Sequence, residues 1–122
     1  MAFECPVCRV NSLNIILSLE LPPDGQSDEL TLQIVSCVRC QFRGAAVYQE
    51  SRHGSLDSEA WHHDGYQVSA AALESLVKAI ELCPAPNNKR CECPTHTALS
   101  KLNERYEWDG LKGVTIEKRF KM

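Results

Sequence analysis

The stretch LTLQIVSCVRC, residues 30–40, carries the reading of the fold. Leu30, Leu32 and Ile34 alternate with Thr31 and Gln33, the period of a half-buried strand. That strand runs directly into a Cys-x2-Cys turn at Cys37 and Cys40. Toward the N-terminus the same pieces recur: a turn at Cys5 and Cys8, then LNIILSLEL (13–21), rich in β-branched and apolar residues. Pro22, Pro23, Asp24 and Gly25 supply turn chemistry between the two runs. C-terminal to Cys40, FRGAAVYQE (42–50) reads as a third strand, with Gly44 marking a bulge or a close backbone approach.

Two Cys-x2-Cys turns, each beside a strand, point to metal. Zn²⁺ takes four soft or borderline ligands in a tetrahedron, with sulfur at about 2.3 Å. A two-residue spacer lets both sulfurs of a turn face inward, so two turns clamp one ion from opposite sides. The pattern predicts structural zinc on Cys5, Cys8, Cys37 and Cys40; an isolated redox pair and metal-free burial are the alternatives. Over roughly residues 3–50 the chain resembles the zinc-ribbon superfamily, in which β-hairpins carry two zinc knuckles at one end of a small sheet. Its members often have Gly directly after the second cysteine of a knuckle, where this chain has Arg9 and Gln41. The resemblance implies a fold more than an activity, since such ribbons serve transcription, RNA processing, chaperones and enzymes alike.

Residues 51–66, SRHGSLDSEAWHHDGY, follow neither the strand nor the helix period and read as a loop. Ser69 stands at an N-cap position, and Leu73, Leu76, Val77 and Ile80 line one face of a helix running to about Leu82. Pro84 and Pro86 stop it. A second helix is expected from Pro94, with Leu99, Leu102 and Tyr106 as its apolar stripe and Gly110 beyond its end. Between the two lies CPAPNNKRCECPTH (83–96), which holds Cys83, Cys91, Cys93 and His96. With Cys93 at the N-cap, Cys93 and His96 can face one point, so a second zinc site is expected there, joining two short helices. A helical hairpin with incidental thiols is the plainer alternative. The last run, GVTIEKRF (113–120), reads as a strand able to complete the N-terminal sheet.

The seven cysteines fit this arithmetic, because a four-cysteine site and a site of three cysteines with one histidine leave none over. Dense thiols in a reduced compartment mean metal more often than disulfides. No apolar run approaches a membrane span, and MAFECPVC lacks the basic and apolar regions of a secretory signal, so a cytoplasmic location is the expectation. The formal net charge is -3; a four-thiolate zinc site lowers it by two and a three-thiolate site by one. Such an acidic chain is a poor non-specific ligand for phosphate backbones. The tail is locally basic, with Lys112, Lys118, Arg119 and Lys121 against Glu117.

Other candidates are weaker. Arg9, Arg39 and Arg43 would surround the first zinc site, either balancing its charge or forming a phosphate-contacting patch with Lys89 and Arg90. Trp61, His62, His63 and Asp64 could take part in binding or acid–base chemistry, joined by Arg52 and His53 in a groove, although a polar loop with one anchoring aromatic is the plainer reading. The expected fold is α+β: a zinc-ribbon sheet with its loop (1–66), a zinc-stapled helical hairpin (67–107) and a C-terminal strand (108–122). The expected function is a non-enzymatic module with two Zn²⁺ ions that binds another protein. A nucleic-acid-binding accessory factor, and an enzyme using the His62–His63–Asp64 loop, are the alternatives.

Overall fold

The computed structural model describes residues 2–23, 29–51 and 60–122. Asp24, Gly25, Arg52 and His53 lie outside them. Six strands pair antiparallel in chain order: β1 (Phe3–Glu4), β2 (Asn11–Leu21), β3 (Glu29–Cys37), β4 (Arg43–Ser51), β5 (Ala60–Val68) and β6 (Ile116–Lys121). Two helices, α1 (Ala70–Leu82) and α2 (Pro94–Leu99), lie between β5 and β6 in sequence.

Each face of the sheet buries its own apolar cluster. On one face Leu19 and Leu21 of β2, Leu30, Leu32 and Ile34 of β3, and Ala45 and Val47 of β4 pack with Leu73, Leu76 and Ile80 of α1. Ser69 caps that helix, its hydroxyl accepting from the Ala72 N–H at 3.2 Å. The other face gathers Leu13, Val35, Ala46, Cys5 and Cys37, with the rings of Phe3, Phe42 and Phe120 against them. A slip of register in β2 feeds both. Ile15 pairs with Val35, but Leu17 pairs with Ile34, so Ile16 is an extra residue in the ladder. Leu13 and Leu17 are both odd-numbered and yet serve opposite faces.

The expected α+β architecture with a helical hairpin is not what this chain forms. It is a largely antiparallel β protein with helices of 13 and 6 residues. The second helix stops at Leu99 because the next residues satisfy their backbone elsewhere. The Asn103 side-chain oxygen accepts from the N–H groups of Arg105 (2.8 Å) and Glu107 (3.0 Å), and Leu102 forms an isolated bridge to Trp108. The Trp108 indole N–H donates to the Leu99 carbonyl at 2.7 Å, replacing the next turn of helix. Tyr106 has φ +62° and is 67% exposed, so it belongs to no core stripe.

The loop expected at 51–66 is also corrected, for residues 60–66 belong to β5, an inner strand between β4 and β6. Tyr66 and Val68 pack on the α1 face, but the positions buried on the other face are polar or small, which is why hydropathy misses the strand. His63 is buried against Gln33, Nε2 to Oε1 at 2.7 Å, between the edges of the Phe3 and Tyr48 rings. Gly65 sits opposite Phe120, whose ring fills the space where a Cβ would go, 2.2 Å from that point.

Candidate metal centres

Site 1 is made of two knuckles built alike. In the first, the Arg9 N–H donates to the Cys5 carbonyl (3.0 Å) and the Cys5 N–H to the Val10 carbonyl (2.9 Å). In the second, Gln41 N–H reaches the Cys37 carbonyl (3.1 Å) and Cys37 N–H the Phe42 carbonyl (2.7 Å). Arg9 and Gln41 take φ values of +62° and +65°, the left-handed conformation that glycine adopts most easily. The knuckles face each other, with Cys5 Sγ 3.5 Å from Cys40 Sγ and Cys8 Sγ 3.7 Å from Cys37 Sγ. A tetrahedron with bonds of about 2.3 Å has sulfurs about 3.8 Å apart. A disulfide needs about 2.05 Å, and all seven cysteines are free thiols.

Backbone and hydroxyl donors already surround the sulfurs. Val7 N–H points at Cys5 Sγ, and Arg39 and Cys40 N–H at Cys37 Sγ, each at 3.4 Å. Ser12 Oγ lies 3.0 Å from Cys37 Sγ. The Cys40 N–H, then the Ser12 hydroxyl, lower the Cys37 pKa to about 6. The Phe42 backbone N–H pulls Cys40 the other way, yet lost solvation and three neighbouring thiols push it up to about 12. Four sulfurs this close could share one cation, which would hold them all as thiolates.

Site 2 unites Cys83, just past the end of α1, with Cys91 and Cys93 of the loop and His96 of α2. Cys93 is the N-cap, its sulfur accepting from the His96 N–H at 3.4 Å. Cys83 Sγ lies 3.9 Å from Cys91 Sγ and 3.5 Å from Cys93 Sγ. The imidazole is almost fully buried, and its Nε2 sits 2.8 Å from the Glu20 carbonyl. A carbonyl only accepts, so Nε2 carries a proton, which in the neutral ring leaves the lone pair on Nδ1. That atom is the one turned toward the sulfurs, 3.2 Å from Cys83 and 3.3 Å from Cys93. Here too the thiols divide: the His96 N–H lowers Cys93 to about 6, while burial, then crowding by Cys93 and Cys91, raises Cys83 to about 11.

In each quartet the four ligand atoms lie within 4.8 Å of one another, so both groups can hold a metal ion. Sequence reasoning named these eight side chains. It missed Ser12 and the Glu20 carbonyl, which no local spacing marks, because the sheet alone brings them to the ligands.

The remaining candidates are scattered. Arg9, Arg39 and Arg43 are exposed around the site 1 end of the sheet, and Arg9 meets Glu4 at 3.4 Å. Lys89 and Arg90 share a cleft with Glu20, near the opposite end of β2, about 25 Å of strand from Ser12. Trp61 is exposed and stacks on Tyr48 (6.4 Å between centroids, 25° between planes). His62, His63 and Asp64 do not converge, since successive strand residues point to opposite faces. His63 turns inward to Gln33, His62 is exposed, and Asp64 is bound to Lys121 at 2.6 Å. Compared with protein-family models, with curated proteins and with solved structures, the chain gives no match.

Proposed function

We propose that this is a non-enzymatic module, held in shape by two structural zinc ions, that works by binding another protein. The observation that carries the reading is the closure of both quartets. Each offers four soft or borderline donors at tetrahedral spacing, backed by backbone N–H groups and leaving no position for water, the arrangement of structural rather than catalytic zinc. Sets of four sulfurs, or of three sulfurs and one nitrogen, favour zinc among the divalent metals of the cell, and the paired knuckles of site 1 fit a zinc ribbon. Protein binding is favoured by the side chains at the knuckle tips, where Val7 and Val38 are 59% and 74% exposed. Reduced thiols fit a cytoplasmic location, and no helix among the described residues is long and apolar enough to cross a membrane.

Metal analysis of protein purified without added zinc tests the core of this reading. Two equivalents are expected. Near-zero zinc with seven freely reactive thiols overturns it, and one equivalent removes one site. A nucleic-acid-binding role is the second reading, favoured by the exposed Arg39 and Arg43, which have no carboxylate partner among the described residues. A gel shift at low salt decides it: no complex with DNA or RNA excludes it.

A further inference from the structure

The sheet treats its two edges differently. At the first edge β1 pairs with the start of β2, and the site 2 loop bonds to its far end: Glu20 N–H donates to the Pro86 carbonyl at 2.8 Å, and the Glu20 carbonyl accepts from His96. At the other edge, among the described residues, nothing pairs with the outer side of β6. An unpaired edge is a template for another extended chain unless its charges forbid one.

The charges on β6 are selective. Lys118, Arg119 and Lys121 stand against Glu117, which occupies the register slip opposite Gln67 and Val68. Lys121 is held by Asp64, whereas Lys118 and Arg119 meet no carboxylate among the described residues. The Arg119 guanidinium lies over the Tyr66 ring, 5.7 Å from its centroid. Beside it run two adjoining clefts of about 430 and 190 Å³ that share Tyr66 and Arg119, with Trp108, Leu111 and Ile116 on the walls of the smaller. Each also holds one carboxylate, Asp64, which is bound to Lys121, and Asp109, so the cleft suits apolar side chains and the cations of the edge the acidic ones. An open edge, unpaired cations and an aromatic cleft therefore occur together.

We propose that β6 is the docking edge for an acidic, extended segment of another protein, which adds as a seventh strand along Lys118–Lys121 with side chains in the Tyr66–Trp108 cleft. Backbone bonds along the edge supply affinity, and the cations select acidic sequence. The same cations keep two copies of this chain from pairing through β6, since like charges would meet. This proposal rests on the reading of the protein as a protein-binding module and names the chemistry of the partner.

The test uses the zinc-loaded full chain, ¹⁵N-labelled, titrated with a short synthetic peptide in which pairs of glutamates alternate with pairs of valines, so that carboxylates and apolar side chains both reach the Lys118 face and the Arg119 face of the edge. Saturable shifts and slowed hydrogen exchange are expected at the amides of residues 118–121. Lys118→Glu, at an exposed side chain, should weaken binding about tenfold, as should Arg119→Gln, and added salt should weaken it further. Unchanged metal content and a dispersed spectrum exclude misfolding of either variant. The proposal is overturned if the peptide causes no shifts, if a lysine-for-glutamate peptide binds equally well, or if only an oligothymidylate of matching charge binds. Peptide shifts confined to the knuckle tips would refute the β6 edge while leaving a protein-binding role intact. A protein lacking zinc would refute the zinc-based function without touching the edge.

Discussion

Two residues, Arg9 and Gln41, sit in left-handed backbone at equivalent points of the two knuckles. An L side chain there costs about 1–2 kcal/mol, and glycine relieves it while giving back part of the gain through a freer unfolded chain. Gln41→Gly is therefore expected to stabilise the metal-loaded protein by about 0.5–1 kcal/mol in denaturant titration. A β-branched residue at the same place should destabilise it. His63 carries a different prediction. Burial lowers its pKa from the ordinary histidine value, and the nearby Asp64 carboxylate only partly offsets this. The unfolded chain thus takes up this proton first as pH falls below about 6.5. Stability from neutral His63 is complete above that value and is lost as pH drops toward the lower folded pKa. Thermal unfolding followed downward from neutral pH should show that loss, and His63→Phe should remove that component of the slope. The variant should also cost about 1–3 kcal/mol, because it leaves the buried Gln33 amide without its partner.

Among the elements, α2 is the most dependent on its surroundings. Six residues are far too few to be helical alone in water. Its capping sulfur and its histidine both belong to site 2, and that histidine is bonded to the backbone of β2. Cys91→Ser should therefore lower bound metal from two equivalents to one and speed hydrogen exchange at the Glu20 amide. Cys37→Ser should lower metal by the same amount but loosen the ends of β2 and β3 instead. Equal exchange effects from both variants would contradict the separate roles of the two centres. The same element marks where the sequence misleads. The stripe of Leu99, Leu102 and Tyr106 has helical spacing, but the Asn103 turn competes for the backbone and wins. β5 is hidden for the opposite reason, since the residues it buries on the face away from α1 are a histidine and a glycine, whose burial depends on Gln33 and Phe120 from distant parts of the chain.

Across the whole molecule, what could be read in advance was whatever local spacing determines: the eight side chains of the two quartets that could hold metal, the runs that become β2, β3, β4 and β6, and α1 with its Ser69 cap. What could not be read was how these parts face one another. The run LNIILSLEL shows this most directly, for its apolar residues look like one continuous stripe until Ile16 drops out of the ladder. Ile16 is half exposed and its side chain is of small consequence, so Ile16→Ser should be tolerated, with stability and bound metal almost unchanged. Deleting the residue is another matter. The shortened strand could place Leu17, Leu19 and Leu21 under α1, or Leu13 beside the first centre, but not both. Loss of soluble expression on deletion, set against a well-behaved serine variant, would mean that this position is occupied for the sake of parity: the chain spends one amino acid here to turn itself over.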